Sequence, residues 1–93
     1  MEAIIKLIML AYMMEGIKAS DVAILVNRED GRDVFRCMAP QQHYGKRAIQ
    51  VKQRIEQQLK SYVADTSVNP GKAIHDGVTQ QMYVVEVRVT AGE

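Results

Sequence analysis

Asp30-Gly31 divides two runs of strand-forming residues, and a two-residue connection of this kind closes a β-hairpin through a type I′ turn, whose central positions both need positive φ. Fixing the turn fixes the register. Glu29 then faces Arg32, Arg28 faces Asp33, Val26 faces Phe35, Ile24 faces Cys37 and Val22 faces Ala39. On that register the last three pairs share one apolar face, while Leu25, Asn27, Val34, Arg36 and Met38 occupy the other. A slip of one residue would turn the apolar patch to the wrong side, so residues 21–40 predict a hairpin with one face that the rest of the chain must cover.

The cover is legible in residues 46–63. Ala48, Val51, Ile55, Leu59 and Tyr62 recur at steps of three and four, which stacks them on one side of an α-helix, with Tyr44 and Val63 extending the stripe. Its other sides carry Lys46, Arg47, Lys52, Arg54 and Lys60 against one acid, Glu56, together with Gln50, Gln53, Gln57 and Gln58. Pro40 suits the first turn of this helix. If the helix begins only after Gly45, Lys46 and Arg47 occupy a first turn whose dipole disfavours cations, which points to a binding role.

Residues 2–15 lack strict alternation and are rich in Ala, Leu and Met, which favours helix over a strand from Ile4 to Tyr12. Gly16 fits the left-handed position past the helix end, with Ile17 folding back on the last turn. Glu2 ahead of the apolar run and Glu15-Gly16 behind it do not make a signal peptide, and a dozen residues cannot cross a bilayer. Such a helix is covered by a sheet and a second helix, or forms an interface with another chain. Residues 66–79 read as a loop, with a type II turn at Asn69-Pro70-Gly71, another turn at Asp76-Gly77 and a short edge strand at Lys72 to His75. Residues 81–90 alternate cleanly: Tyr83, Val85, Val87 and Val89 point one way, Met82, Val84, Glu86, Arg88 and Thr90 the other. The expectation is one α+β domain over 1–93, of order α-β-β-α-β with a possible short fourth strand, its helices on one face of a mostly antiparallel sheet.

Catalytic chemistry is not indicated. Cys37 and His43 could pair as nucleophile and base, but the register puts Cys37 on the core face and no third residue orients the pair. His43 and His75 have no cysteine or carboxylate cluster at ligand spacing, and Gly71-Lys72 lacks the glycine pattern and following helix of a phosphate loop. A non-enzymatic protein without metal or cofactor is expected. One cysteine allows no internal disulfide and suits a reducing cytoplasm. Net charge is only +1, yet from Arg28 to Lys60 eight basic residues stand against four acidic ones. Asn27, Arg28, Arg32 and Arg36 on the hairpin and Lys46, Arg47, Arg54 and Lys60 on the helix are the candidate contacts to a partner or to nucleic-acid phosphates. Aromatic residues for base stacking are scarce, which speaks for a protein docking on a larger assembly.

In its hairpin tip at 27–33, Arg36 and the helix at 46–60, the chain resembles small phage-encoded inhibitors, specifically anti-CRISPR proteins acting on type I surveillance complexes. The resemblance covers size and α/β make-up and includes no diagnostic motif. It implies binding to the protein backbone and guide RNA of a ribonucleoprotein in a host bacterial cytoplasm, so that target DNA cannot engage. The basic middle excludes an acidic DNA mimic. Two other readings stand beside it: a free-standing nucleic-acid-binding or transcription-regulating domain, and a phage structural or assembly protein that oligomerises through the apolar N-terminal helix.

Overall fold

The computed structural model describes residues 2–40, 46–60, 62, 64–75 and 77–90. They form α1 (Glu2–Met14), a 3-10 turn (Ala19–Asp21), β1 (Ala23–Glu29), β2 (Arg32–Pro40), α2 (Lys46–Gln58), β3 (Ala64–His75) and β4 (Val78–Thr90). The four strands make one antiparallel sheet in the order β1-β2-β4-β3. This is the α+β arrangement the patterns predict, helix, hairpin, helix, strand, with the fourth strand present.

The first hairpin has the register derived from its turn. Ile24 pairs with Cys37, Val26 with Phe35, Arg28 with Asp33 and Glu29 with Arg32. Asp30 and Gly31 both take positive φ, 51° and 75°, as a type I′ turn requires. Residues 2–14 are helix rather than strand, and α1 ends as its sequence predicts. Gly16 sits at φ 79°, Ile17 N–H donates to the Tyr12 carbonyl at 3.1 Å and Gly16 N–H to that of Met13 at 3.0 Å. These two bonds satisfy helix-end carbonyls that would otherwise be orphaned, and they fold Ile17 into the core.

One apolar core lies between the helices and one sheet face. Ile4, Ile8, Ala11 and Tyr12 of α1 meet Val51 and Ile55 of α2, Leu59 just beyond it, and Phe35, Cys37, Ala39, Val85, Val87 and Val89 of the sheet. Ala48, Val51, Ile55 and Leu59 are buried and Tyr62 half-buried, as the stripe predicts, but α2 ends at Gln58 instead of running on to Val63, so Leu59, Lys60 and Tyr62 follow the helix. No helix among the described residues is long and apolar enough to cross a membrane.

Two local readings need correction. Residues 66–71 are not loop: with the edge strand expected at Lys72 to His75 they belong to β3, a twelve-residue strand paired along its length with β4, which itself opens at Val78 rather than Gln81. The turn expected at Asn69-Pro70-Gly71 does not form. Pro70 stands opposite Tyr83 on an edge strand, where a missing N–H costs no ladder bond. Gly71 serves a close approach instead of a turn: a Cβ there would lie 3.1 Å from Val84 Cγ2. Pro40, expected in the first helical turn, is the last residue of β2, paired with Met82, and α2 opens at Lys46. His43, Tyr44, Gly45, Val63 and Asp76 lie outside the described residues.

Candidate functional site

The eight candidate contact residues fall on two sides of the molecule. Arg36 projects from the sheet face turned away from the helices, with its guanidinium 2.8 Å from Glu29 and 3.9 Å from Glu86. Arg88 joins the same group, 2.6 Å from Glu86 and 3.6 Å from Glu29. The Arg36 guanidinium, through its hydrogen bond, holds the Glu29 carboxyl below the usual carboxylate range, and Glu29 in turn raises the pKa of Arg36. On that face Arg32 reaches Asp65 at 2.9 Å, and Asn27 is exposed beside Val34. Arg28 projects from the opposite face and meets its cross-strand neighbour Asp33 at 3.4 Å. The three hairpin arginines are therefore each met by a carboxylate of the same chain, and the sheet separates Arg32 and Arg36 from α2.

The helix behaves differently. Arg54 pairs with Glu15, just past the end of α1, and so serves to tie the two helices together. Glu56, the one acid of α2, turns toward the sheet, accepting from Thr66 Oγ1 at 2.8 Å and from Lys52 at 3.2 Å. The Thr66 hydroxyl, then Lys52, lowers its pKa. Arg47 and Lys60 are exposed and, among the described residues, enter no ion pair. Lys46 opens the helix, and its side chain lies outside what the structure describes.

Between Arg47 and Lys60 run Gln50, Gln53 and Gln57, exposed at helical spacing, and with Arg54 and Glu15 they line a shallow polar groove where the end of α1 meets α2. Ile49 stands exposed beside them. The outward side of α2 is thus a ridge of amides with one exposed apolar side chain, with Arg47 at its start and Lys60 two residues past its end. Each amide offers donors and an acceptor to a partner's backbone, and none carries a charge that must be neutralised on binding.

The sequence pointed to α2 and to its glutamines. It gave no sign of Ile49 beyond an apolar residue off the buried stripe, and none of Glu15 as partner to Arg54, 39 positions away. Cys37 is buried, and desolvation pushes its thiol up to about 12, which leaves it protonated and without nucleophilic character at neutral pH. Among the described residues no group of three or more His, Cys, Asp or Glu could hold a metal ion.

The chain finds no match. Neither a family model, nor a curated protein, nor a solved structure resembles it closely enough to count as one.

Proposed function

We propose that the protein is a non-enzymatic binding protein, an inhibitor in the style of the phage-encoded anti-CRISPR proteins, that docks on a multi-subunit protein or ribonucleoprotein through the outward side of α2. There it blocks the engagement of nucleic acid. The observation that carries this reading is the exposed ridge of Gln50, Gln53 and Gln57 between Arg47 and Lys60, on a helix whose acid is occupied elsewhere. The proposed contact surface consists of Arg47, Lys60 and the glutamines, a choice supported by their exposure and by the absence of an ion pair at Arg47 and Lys60 among the described residues. Arg28, Arg32, Arg36 and Arg54 are engaged by their own carboxylates.

The same ion pairing disfavours a free-standing nucleic-acid binder. Each phosphate neutralised on a single strand contributes about −0.7 to the slope of log affinity against log salt, so Arg47 and Lys60, the exposed cations on the α2 side without an ion pair among the described residues, contribute about −1.4 between them.

The test is capture of partners from a bacterial lysate by the tagged chain, with and without nuclease, comparing wild type with Arg47→Glu/Lys60→Glu and with Arg28→Glu/Arg32→Glu. The α2 double variant loses the partner, and the hairpin variant keeps it. Retention by the α2 variant overturns the reading. A steep salt dependence on bare RNA or DNA would favour the nucleic-acid binder.

A further inference from the structure

The sheet has two edges, and they are not alike. The two-residue turn makes Glu29 and Arg32 a hydrogen-bonded pair. The alternation of an antiparallel ladder then turns the backbone groups of Ala23, Leu25, Asn27 and Glu29 toward β2, and those of Ile24, Val26 and Arg28 away from it. The N–H and C=O groups of these three residues face outward along an edge that no other described strand covers. On the far edge the same alternation places Pro70 in the middle of β3 with its ring nitrogen facing outward, so that edge is interrupted. Sheets that remain alone blunt their edges with proline, charged side chains or a bulge. β1, with the sequence AILVNRE and an unbroken register, has no proline, lysine or bulge, and its two charges, Arg28 and Glu29, stand at the hairpin end, where Asp33 and Arg36 meet them.

Above this edge lies the flank of α1. Against the sheet α2 packs on β3 and β4, and it touches the end of α1 through Arg54 with Glu15 and Gln58 with Met14. The buried side of α1 shares its core with Phe35, Cys37 and Ala39 of β2, and Ile24 and Val26 of β1 pack against that core, so the β1 half of the sheet is the part left for α1 to cover. On the side of α1 away from α2, Ile5, Met9 and Met13 recur at steps of four. Ile5 and Met9 are half-buried and Met13 is 56% exposed. On the other face of the sheet Leu25, in β1 itself, is also 56% exposed.

We infer that a second copy of this chain docks here, its β1 antiparallel to the first across a twofold axis normal to the sheet at Val26. One register lets all three outward-facing residues meet outward-facing residues: Val26 opposite its counterpart and Ile24 opposite Arg28, with two hydrogen bonds in each pair. The same register sets Leu25 opposite Asn27 and Ala23 opposite Glu29, so that no charged residue of β1 faces another. The edge is self-complementary in hydrogen bonding and in charge. The axis brings the two Leu25 side chains into diagonal contact on one face of the joined sheet. On the other face it brings the two α1 helices together along Ile5, Met9 and Met13. A strand edge alone buries little, whereas a stable interface needs on the order of 1,000 Å² or more, and the α1 flank supplies the remainder. The outward side of α2 stays free in each copy, so the inference stands apart from the docking reading.

Sedimentation of the intact chain over a range of concentrations tests it, with a mass of twice 10.5 kDa expected. The double variant Leu25→Lys/Met13→Lys changes two exposed side chains and keeps the fold, as far-UV circular dichroism and the thermal midpoint would verify. It associates about a hundredfold more weakly, tenfold for each substitution. Hydrogen exchange fixes the register: the amides of Ile24, Val26 and Arg28 are protected in the dimer and exchange faster in the double variant. A monomer at every concentration overturns the inference and leaves the edge to another protein's strand. A dimer that survives both lysines, or one whose 24, 26 and 28 amides exchange freely, overturns it equally.

Discussion

Val34 belongs by register to the sheet face turned away from the helices, yet it is fully buried. Its cover is ionic. Arg36 and Arg88 converge on Glu29 and Glu86, and the bond from Arg36 to Glu29 crosses diagonally over the Asn27 and Val34 pair. Single exposed pairs contribute little, but four charges that share partners hold one another in place. The lowered pKa of Glu29 makes this cover sensitive to acid. Because the folded-state value lies below the ordinary one, the stabilisation is present above the usual carboxylate range and is lost as pH falls through the lowered value. Glu56, lowered by Thr66 and Lys52, adds in the same direction. Urea midpoints measured from pH 7 down to pH 3 therefore fall for the wild type. Glu29→Gln begins lower at pH 7 and falls less, with Glu56 left to titrate. An unchanged acid slope in that variant would show that the cover does not depend on the charge of Glu29.

Among the elements, the first hairpin is the one in which a local rule decides the outcome, and Gly31 is where the rule can be broken. At φ 75° a Cβ finds open space but an unfavourable backbone, so Gly31→Ala destabilises the fold by about 1–2 kcal/mol. The denaturant midpoint shifts and the slope of the transition does not, because the surface buried is unchanged. A change in slope would mean that the hairpin had moved out of register. The same reasoning explains which elements could be read in advance. The α2 stripe and the β1 and β2 pairing depend on neighbours within a few residues or on a single turn, and they stand as derived except at their far ends, where Val22, expected opposite Ala39, precedes β1 and α2 stops at Gln58. β3 depends on β4, a thirteen-residue strand that offers a partner along the whole of residues 64–75 and overrides the turn chemistry of Asn69-Pro70-Gly71. The ion pairs are less legible still. Arg32 with Asp65 and Arg54 with Glu15 join residues more than thirty positions apart, so the sequence could show where cations cluster but not which were already spoken for.

At the scale of the whole molecule, the contrast between the two edges sets how far assembly can proceed. If β1 joins β1 about a twofold axis, growth stops at two copies only while the β3 edge stays closed, since an open second edge of the same kind would link dimers end to end without limit. Pro70 is the residue that closes it. Its missing N–H faces outward, away from β4, so a residue with an N–H can replace it without disturbing any pairing within the chain. Pro70→Thr therefore leaves the thermal midpoint close to that of the wild type while it restores an outward donor in mid-strand. The expected result by sedimentation is a concentration-dependent series of species larger than the dimer. Adding Leu25→Lys/Met13→Lys to the same chain removes the β1 contact and returns the series to a single closed pair through β3. If Pro70→Thr instead sediments as the wild type does, the outer edge is protected by its own twist or by the charges of Asp65 and Lys72 rather than by proline, and the limit on assembly lies there.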